Sequence, residues 1–221
     1  MPSPLGCERT VVIPCGSLEL PGTLTRPPEP RGVVVFIHGS GSSQFSRRNR
    51  SVAEVLVEAG FAALLFDLLA RQEASAQGVK RSADLDIAML GRRVVAAIDW
   101  VGTEAGLSGM PLALFGSSSG AAAALQAAAD RPQQVCALVC RGGRPDLASG
   151  VLGLIHCPTL MIVGERDPDV LMLNRWAANR LAAPHRLVVV PGASHLFGEP
   201  GAIQQVAALT MDWLVEHLNQ P

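Results

Sequence analysis

Hydrophobic positions change their spacing several times along this 221-residue chain, and each change marks an element. Thr10 to Ile13 and Leu18 to Thr25 flank a turn at Cys15-Gly16-Ser17 and end at Arg26-Pro27-Pro28. This reads as an antiparallel hairpin at the N-terminus. From Gly32 the pattern alters: Gly-Val-Val-Val-Phe-Ile is continuously apolar and β-branched, as expected of a strand buried on both faces. Val52, Val55, Leu56 and Ala59 then recur at helical spacing. The alternation repeats through Phe61 to Phe66, a helix within about Ala83 to Val101, Leu112 to Phe115, a helix from Ser119, Val135 to Val139 and Thr159 to Val163. A helix from about Asp169 to Leu181, the strand Arg186 to Val190 and a last helix from about Ala202 to Leu218 complete it. Strands separated by helices of this length predict a mostly parallel, doubly wound α/β sheet with helices on both faces. No linker, charge run or internal repeat divides the chain, so one domain spanning 1–221 is expected.

In such sheets the chemistry gathers in loops at the carboxyl ends of the strands. Here those ends carry His38-Gly39-Ser40-Gly41-Ser42, Asp67-Leu68-Leu69, Ser117-Ser118-Ser119, Arg141-Gly142-Gly143, Gly164-Glu165-Arg166-Asp167 and Gly192-Ala193-Ser194-His195. The run Gly116-Ser117-Ser118-Ser119-Gly120 follows a short apolar strand and precedes the alanine-rich stretch Ala121 to Ala129. With 22 Gly and 15 Ser in the chain, a Gly-x-Ser-x-Gly match alone is weak, and the strand-turn-helix flanking carries the weight. A turn this tight lifts its central side chain above the sheet, which makes Ser118 the candidate nucleophile, while Gly116 and Gly120 leave room for the backbones to approach.

A serine hydroxyl needs a base. His195, between a strand and the final helix, is the candidate to take and return the proton; His156, His185 and His217 lie before strands or on the last helix, and His38 opens the first loop. Asp167 is the candidate to accept the other imidazole N–H and fix the tautomer, ahead of Asp169, with Asp67 a weaker third.

The order Ser118, Asp167, His195 is that of α/β-hydrolases. With Phe-Ile-His-Gly-Ser-Gly-Ser-Ser at 36–43, Leu-Phe-Asp-Leu-Leu at 65–69, Phe-Gly-Ser-Ser-Ser-Gly at 115–120 and Pro-Gly-Ala-Ser-His-Leu-Phe at 191–197, the sequence resembles an α/β-hydrolase of the dienelactone-hydrolase-like branch from about Thr10 to Leu218. Dienelactone hydrolases proper have cysteine where this chain has Ser118, so the resemblance points to ordinary ester hydrolysis. It also implies an oxyanion hole made by the backbone N–H of Ser119 and a second N–H, assigned to Ser40, from the loop after His38-Gly39. Fewer than twenty residues separate the strand ending near Val139 from the one starting at Thr159, too few for a helical lid domain. An uncovered site favours small soluble acyl substrates. Phe45, Leu68, Leu69 and Phe197 flank it and either line an acyl pocket or belong to core and rim. Arg47, Arg48 and Arg50 follow the oxyanion loop, and Arg141 and Arg144 flank Gly142-Gly143; each contacts substrate or serves the local structure.

Composition narrows the field. A net charge of -1 with scattered basic residues argues against nucleic acid and anionic membranes, and no apolar run approaches the roughly 18 residues of a membrane span. Met1 to Glu8 lacks the pattern of a secretory signal. Five cysteines without Cys-x-x-Cys spacing read as reduced thiols and fit a cytoplasmic protein. The expectation is a carboxylesterase-type serine hydrolase that uses no cofactor or metal. A thioesterase or peptidase with the same triad, and a non-catalytic binding protein on the same fold, stay open, as does the choice between monomer and homodimer.

Overall fold

A computed structural model describes residues 6–70, 73 and 86–218. The N-terminal hairpin pairs β1 (Cys7–Cys15) with β2 (Leu18–Arg26), and β2 runs antiparallel to β4 (Ala62–Phe66). All further pairings are parallel, through β3 (Val33–Ile37), β5 (Leu112–Ser117), β6 (Val135–Arg141), β7 (Thr159–Gly164) and β8 (His185–Val190). The eight strands lie in the order β1-β2-β4-β3-β5-β6-β7-β8. This is the α/β-hydrolase fold expected from the sequence, a mostly parallel sheet with an antiparallel hairpin at one edge.

Every residue of β3, β4, β5 and β7 is buried, which is why β3 and β4 read as unbroken apolar runs and β5 and β7 carry a polar residue only at one end, Ser117 and Thr159. Alternate side chains feed two cores. One lies against α2 (Ile87–Thr103), α3 (Ser119–Asp130) and α4 (Pro168–Ala178), with Val35, Leu64, Leu114, Val94 and Ala124 among its members. The other lies against α1 (Arg47–Glu58) and α5 (Ala202–Leu218) and holds Phe36, Phe115, Val52, Leu56 and Val206. Each of the valine, leucine and phenylalanine side chains among these contributes roughly 1.5–3 kcal/mol on burial. Alanines fill the inner face of α3 because that helix packs closely on the centre of the sheet.

Helix α1 begins at Arg47, before its apolar periodicity, because Ser46 accepts a hydrogen bond from the Asn49 N–H as its N-cap. The expected helix over about 83–101 appears as Ile87–Thr103, capped by Asp86, whose side chain accepts from the Met89 N–H; positions 83–85 lie outside the described residues. Between β6 and β7 there is a 3-10 segment, Pro145–Leu154, and no lid domain. Among the described residues no helix is long and apolar enough to cross a membrane.

Candidate active site

The link between β5 and α3 is a single residue wide. Ser118 sits in it with φ 52 and ψ -124, a left-handed backbone that a non-glycine residue adopts only under tertiary constraint. Its N–H donates to the Arg141 carbonyl (3.0 Å), and its own carbonyl accepts from the N–H groups of Arg144 and Ala121 (3.1 Å each). A Cβ at Gly116 would stand 2.5 Å from Ala121 Cα, and one at Gly120 would stand 2.4 Å from the His38 carbonyl oxygen. Both glycines are therefore steric requirements of the turn.

The candidate base arrives on the loop after β8. His195 Nδ1 is 2.6 Å from Asp167 Oδ2, and its Nε2 is 3.3 Å from Ser118 Oγ. Because the carboxylate only accepts, Nδ1 carries the proton, and Nε2 is left to accept from the serine hydroxyl. The Asp167 side chain is 14% exposed and that of His195 is 37% exposed, so the pair is sheltered on the acid side and open toward solvent on the base side. Asp167 is also the N-cap residue of α4, yet its side chain makes no capping bond; the carboxylate turns to the imidazole. Asp169 is exposed in the first turn of α4, and Asp67 is held by the backbone and side-chain N–H groups of Gln44 (2.7 and 3.0 Å).

Several backbone contacts hold the acid and base loops together. The N–H groups of Glu165 and Arg166 donate to the carbonyls of Val190 and Ala193 (3.0 and 2.9 Å), and the Gly192 N–H donates to Glu165 Oε2 (2.7 Å). Gly164 allows this approach: a Cβ there would lie 2.3 Å from the Ala193 carbonyl oxygen. On the other side, the turn at Gly142-Gly143 packs against the His195 ring and is anchored by buried Asn174, which donates to the Gly143 carbonyl (2.9 Å).

Ser119 opens α3, where its N–H has no intrahelical acceptor and lies next to Ser118, the candidate nucleophile. The Ser40 N–H, assigned as the second oxyanion donor, is 2.9 Å from Ser119 Oγ and donates to it. It becomes free for another acceptor only when that hydroxyl turns away. His38 braces the same loop. Its Nε2 accepts from the Leu68 N–H (3.1 Å), so Nδ1 carries the proton and donates to the Gly39 carbonyl (2.9 Å). Burial pushes the His38 imidazole below its usual pKa and keeps it neutral.

Of the residues expected to shape the substrate pocket, Leu68 and Phe197 are 3% and 1% exposed and belong to the two cores, so neither side chain offers surface to an acyl group. Leu69 is partly buried, and Phe45 is 64% exposed with the Arg50 guanidinium 5.2 Å from its ring centroid. Arg47 is exposed, and Arg144 forms a two-pronged ion pair with Asp146 (2.8 and 2.7 Å). A cavity of about 160 Å³ lies between the hairpin and α1, lined by Thr23, Arg50, Val57 and Leu65, and none of Ser118, Asp167 and His195 lines it. Among the described residues no cluster of three or more His, Cys, Asp or Glu side chains is arranged to hold a metal ion.

The model of the dienelactone hydrolase family matches residues 20–217, nearly the whole chain. The chain belongs to the dienelactone hydrolase family. This dienelactone hydrolase family member superposes with a TM-score of 0.92 and 45% identity on the crystal structure of a dienelactone hydrolase from Anabaena variabilis, covering 96% of this chain and 99% of that one. Est1E from Butyrivibrio proteoclasticus shares the fold at a TM-score of 0.80 and 17% identity, covering 96% and 99% of the two chains. A Mycobacterium tuberculosis protein that carries the name of a phosphoribosyl transferase is 50% identical over 218 residues, 99% of this chain and 48% of its own length. The family member thus spans about half the length of that mycobacterial relative.

Proposed function

We propose that this family member is a serine hydrolase acting on small soluble carboxylic esters through an acyl-enzyme. The observation that carries the reading is the imidazole of His195 lying within hydrogen-bond reach of both Ser118 Oγ and Asp167 Oδ2. Ser118 Oγ attacks the ester carbonyl as His195 Nε2 takes its proton, and Asp167 holds the resulting imidazolium in place. The oxyanion faces the Ser119 N–H, joined by the Ser40 N–H once the Ser119 hydroxyl has turned aside; each donor contributes on the order of 3 kcal/mol. His195 gives its proton to the departing alcohol. Water, deprotonated by the same nitrogen, then releases the carboxylic acid and regenerates Ser118. The scheme uses no metal or cofactor, and Phe45 and Leu69 are the apolar side chains left to meet the acyl group. The transferase name of the mycobacterial relative we assign to the half of that protein lying outside the match.

The test compares hydrolysis of short-chain nitrophenyl esters by the parent chain and by Ser118→Ala, alongside labelling by a fluorophosphonate. Turnover and labelling are expected in the parent and absent in the variant. Equal rates in the two proteins would remove Ser118 from the reaction.

A further inference from the structure

Two deeply set arginines receive opposite treatment in this fold. Arg93 is 4% exposed and is neutralised: it donates to Glu73 Oε1 at 2.6 Å and also to the Leu68 carbonyl. Arg141 is 6% exposed and is not. It sits at the end of β6, opposite Ser117 in the register of β5, on the face covered by α1 and α5. Its Nε–H has no partner, and its one side-chain hydrogen bond, from Nη2 to Asn49 Oδ1, is long at 3.5 Å. The ring of Phe197 lies 5.7 Å from the guanidinium carbon, an apolar neighbour and no counter-ion.

The surroundings add positive charge. Arg48, half-buried in the first turn of α1, also has a buried Nε–H without a partner. Burial first, and the nearby Arg48 second, bring the Arg141 pKa down to about 10, still charged at neutral pH. The first turn of α1 contains no acidic residue, and Asn49, whose side chain receives Arg141, belongs to that turn. Two guanidinia and the positive end of a helix therefore converge, and neither arginine pairs with a carboxylate among the described residues. A buried cation without a partner is costly enough that folds rarely retain one.

We propose that Arg48 and Arg141, with the first turn of α1, form a binding site for one compact anion beneath the strand ends, a halide or the carboxylate of a small acid. The anion supplies the charge that Glu73 supplies to Arg93, and it stabilises the folded chain in proportion to its occupancy. The assignment uses none of the triad and is independent of the proposed reaction.

The test is thermal unfolding of the full chain at constant ionic strength, with sodium isethionate, which carries neither a halide nor a carboxylate, replaced stepwise by sodium chloride or by sodium acetate. The melting temperature is expected to rise saturably with at least one of the two small anions. A response to chloride alone identifies a halide site, and a response to acetate identifies a carboxylate site. In Arg48→Gln, a change at a half-buried position, the apparent anion affinity is expected to fall at least about tenfold, as loss of a charged partner does. Chloride-35 line broadening by the unsubstituted chain, and its reversal by acetate, reads occupancy without reference to stability. Melting temperatures indifferent to both anions together with no line broadening, or an undiminished response in Arg48→Gln, would overturn the proposal.

Discussion

The contact between the acid and base loops makes Gly164→Ala an informative perturbation, because the substitution leaves the side chains of Ser118, Asp167 and His195 unaltered and keeps the Gly164 carbonyl that accepts from the Asp167 N–H (3.1 Å). The added Cβ would stand 2.3 Å from the Ala193 carbonyl oxygen and 2.7 Å from that of Ser194, where ordinary contact begins at 3.4 Å. The 192–195 loop must therefore retreat by about 1 Å. Ser194 is the residue before His195, so the retreat moves the imidazole, whose Nε2 is already 3.3 Å from Ser118 Oγ. A misplacement of about 1 Å costs on the order of 10²-fold in rate, and the crowding costs roughly 1–3 kcal/mol of stability. Steady-state hydrolysis of a nitrophenyl ester should show kcat about 10²-fold lower and KM within about threefold of the parent, since the displaced group moves protons and binds no acyl chain. Fluorophosphonate labelling should slow in parallel. Gly150→Ala is the control, because a Cβ there meets nothing within 4 Å. A folded Gly164→Ala protein with kcat within about threefold of the parent would refute the claim that this close approach sets the geometry of the base.

Two further predictions concern the loop after β3. Ser119→Ala removes the acceptor that holds the Ser40 N–H and leaves the Ser119 N–H in place, so kcat should stay within about tenfold of the parent; a loss of 10²-fold or more, the cost of a missing oxyanion donor, would make the hydroxyl itself the donor. For His38, burial depresses the folded-state pKa below 6.5, so the unfolded chain takes up a proton first and stability is lost as pH falls from 6.5 toward the folded-state value. Urea unfolding at pH 7.5, 6.5 and 5.5 should therefore show the gap between the parent and His38→Gln narrowing on acidification by up to about 1.4 kcal/mol per pH unit; a gap independent of pH would contradict the buried neutral imidazole.

The central strands were legible because burial on both faces leaves no polar position in β3 and β4 and only Thr159 in β7, and the grouping of Ser118, Asp167 and His195 on one rim was legible because strand ends and loops can be located before any contact is known. What escaped depends on chain segments far apart in sequence. The 3-10 segment Pro145–Leu154 has too short a period and too many small residues to register as a helix. Leu68 and Phe197 looked available for substrate because they adjoin the site in sequence, and only packing shows that both point into cores. The Ser40–Ser119 hydrogen bond joins residues 79 positions apart, and the Arg141–Asn49 contact spans 92. Asp167 stands nearer the strand end than Asp169, and the structure adds a physical distinction: the Asp167 side chain leaves its helix uncapped and reaches the imidazole.

The left-handed backbone of Ser118 also bears on how this sequence evolves. Holding a side chain at φ 52 costs about 1–2 kcal/mol, a cost that glycine escapes. At this position selection for folding alone favours glycine, which discards Cβ and hydroxyl together, whereas alanine would keep the strain; under the proposed reaction, selection for turnover retains the serine. If the proposed hydrolysis were no longer needed, replacement of Ser118 by glycine would be expected early and with a gain in stability, while Gly116 and Gly120, where a Cβ would stand 2.5 and 2.4 Å from backbone atoms, would be expected to persist.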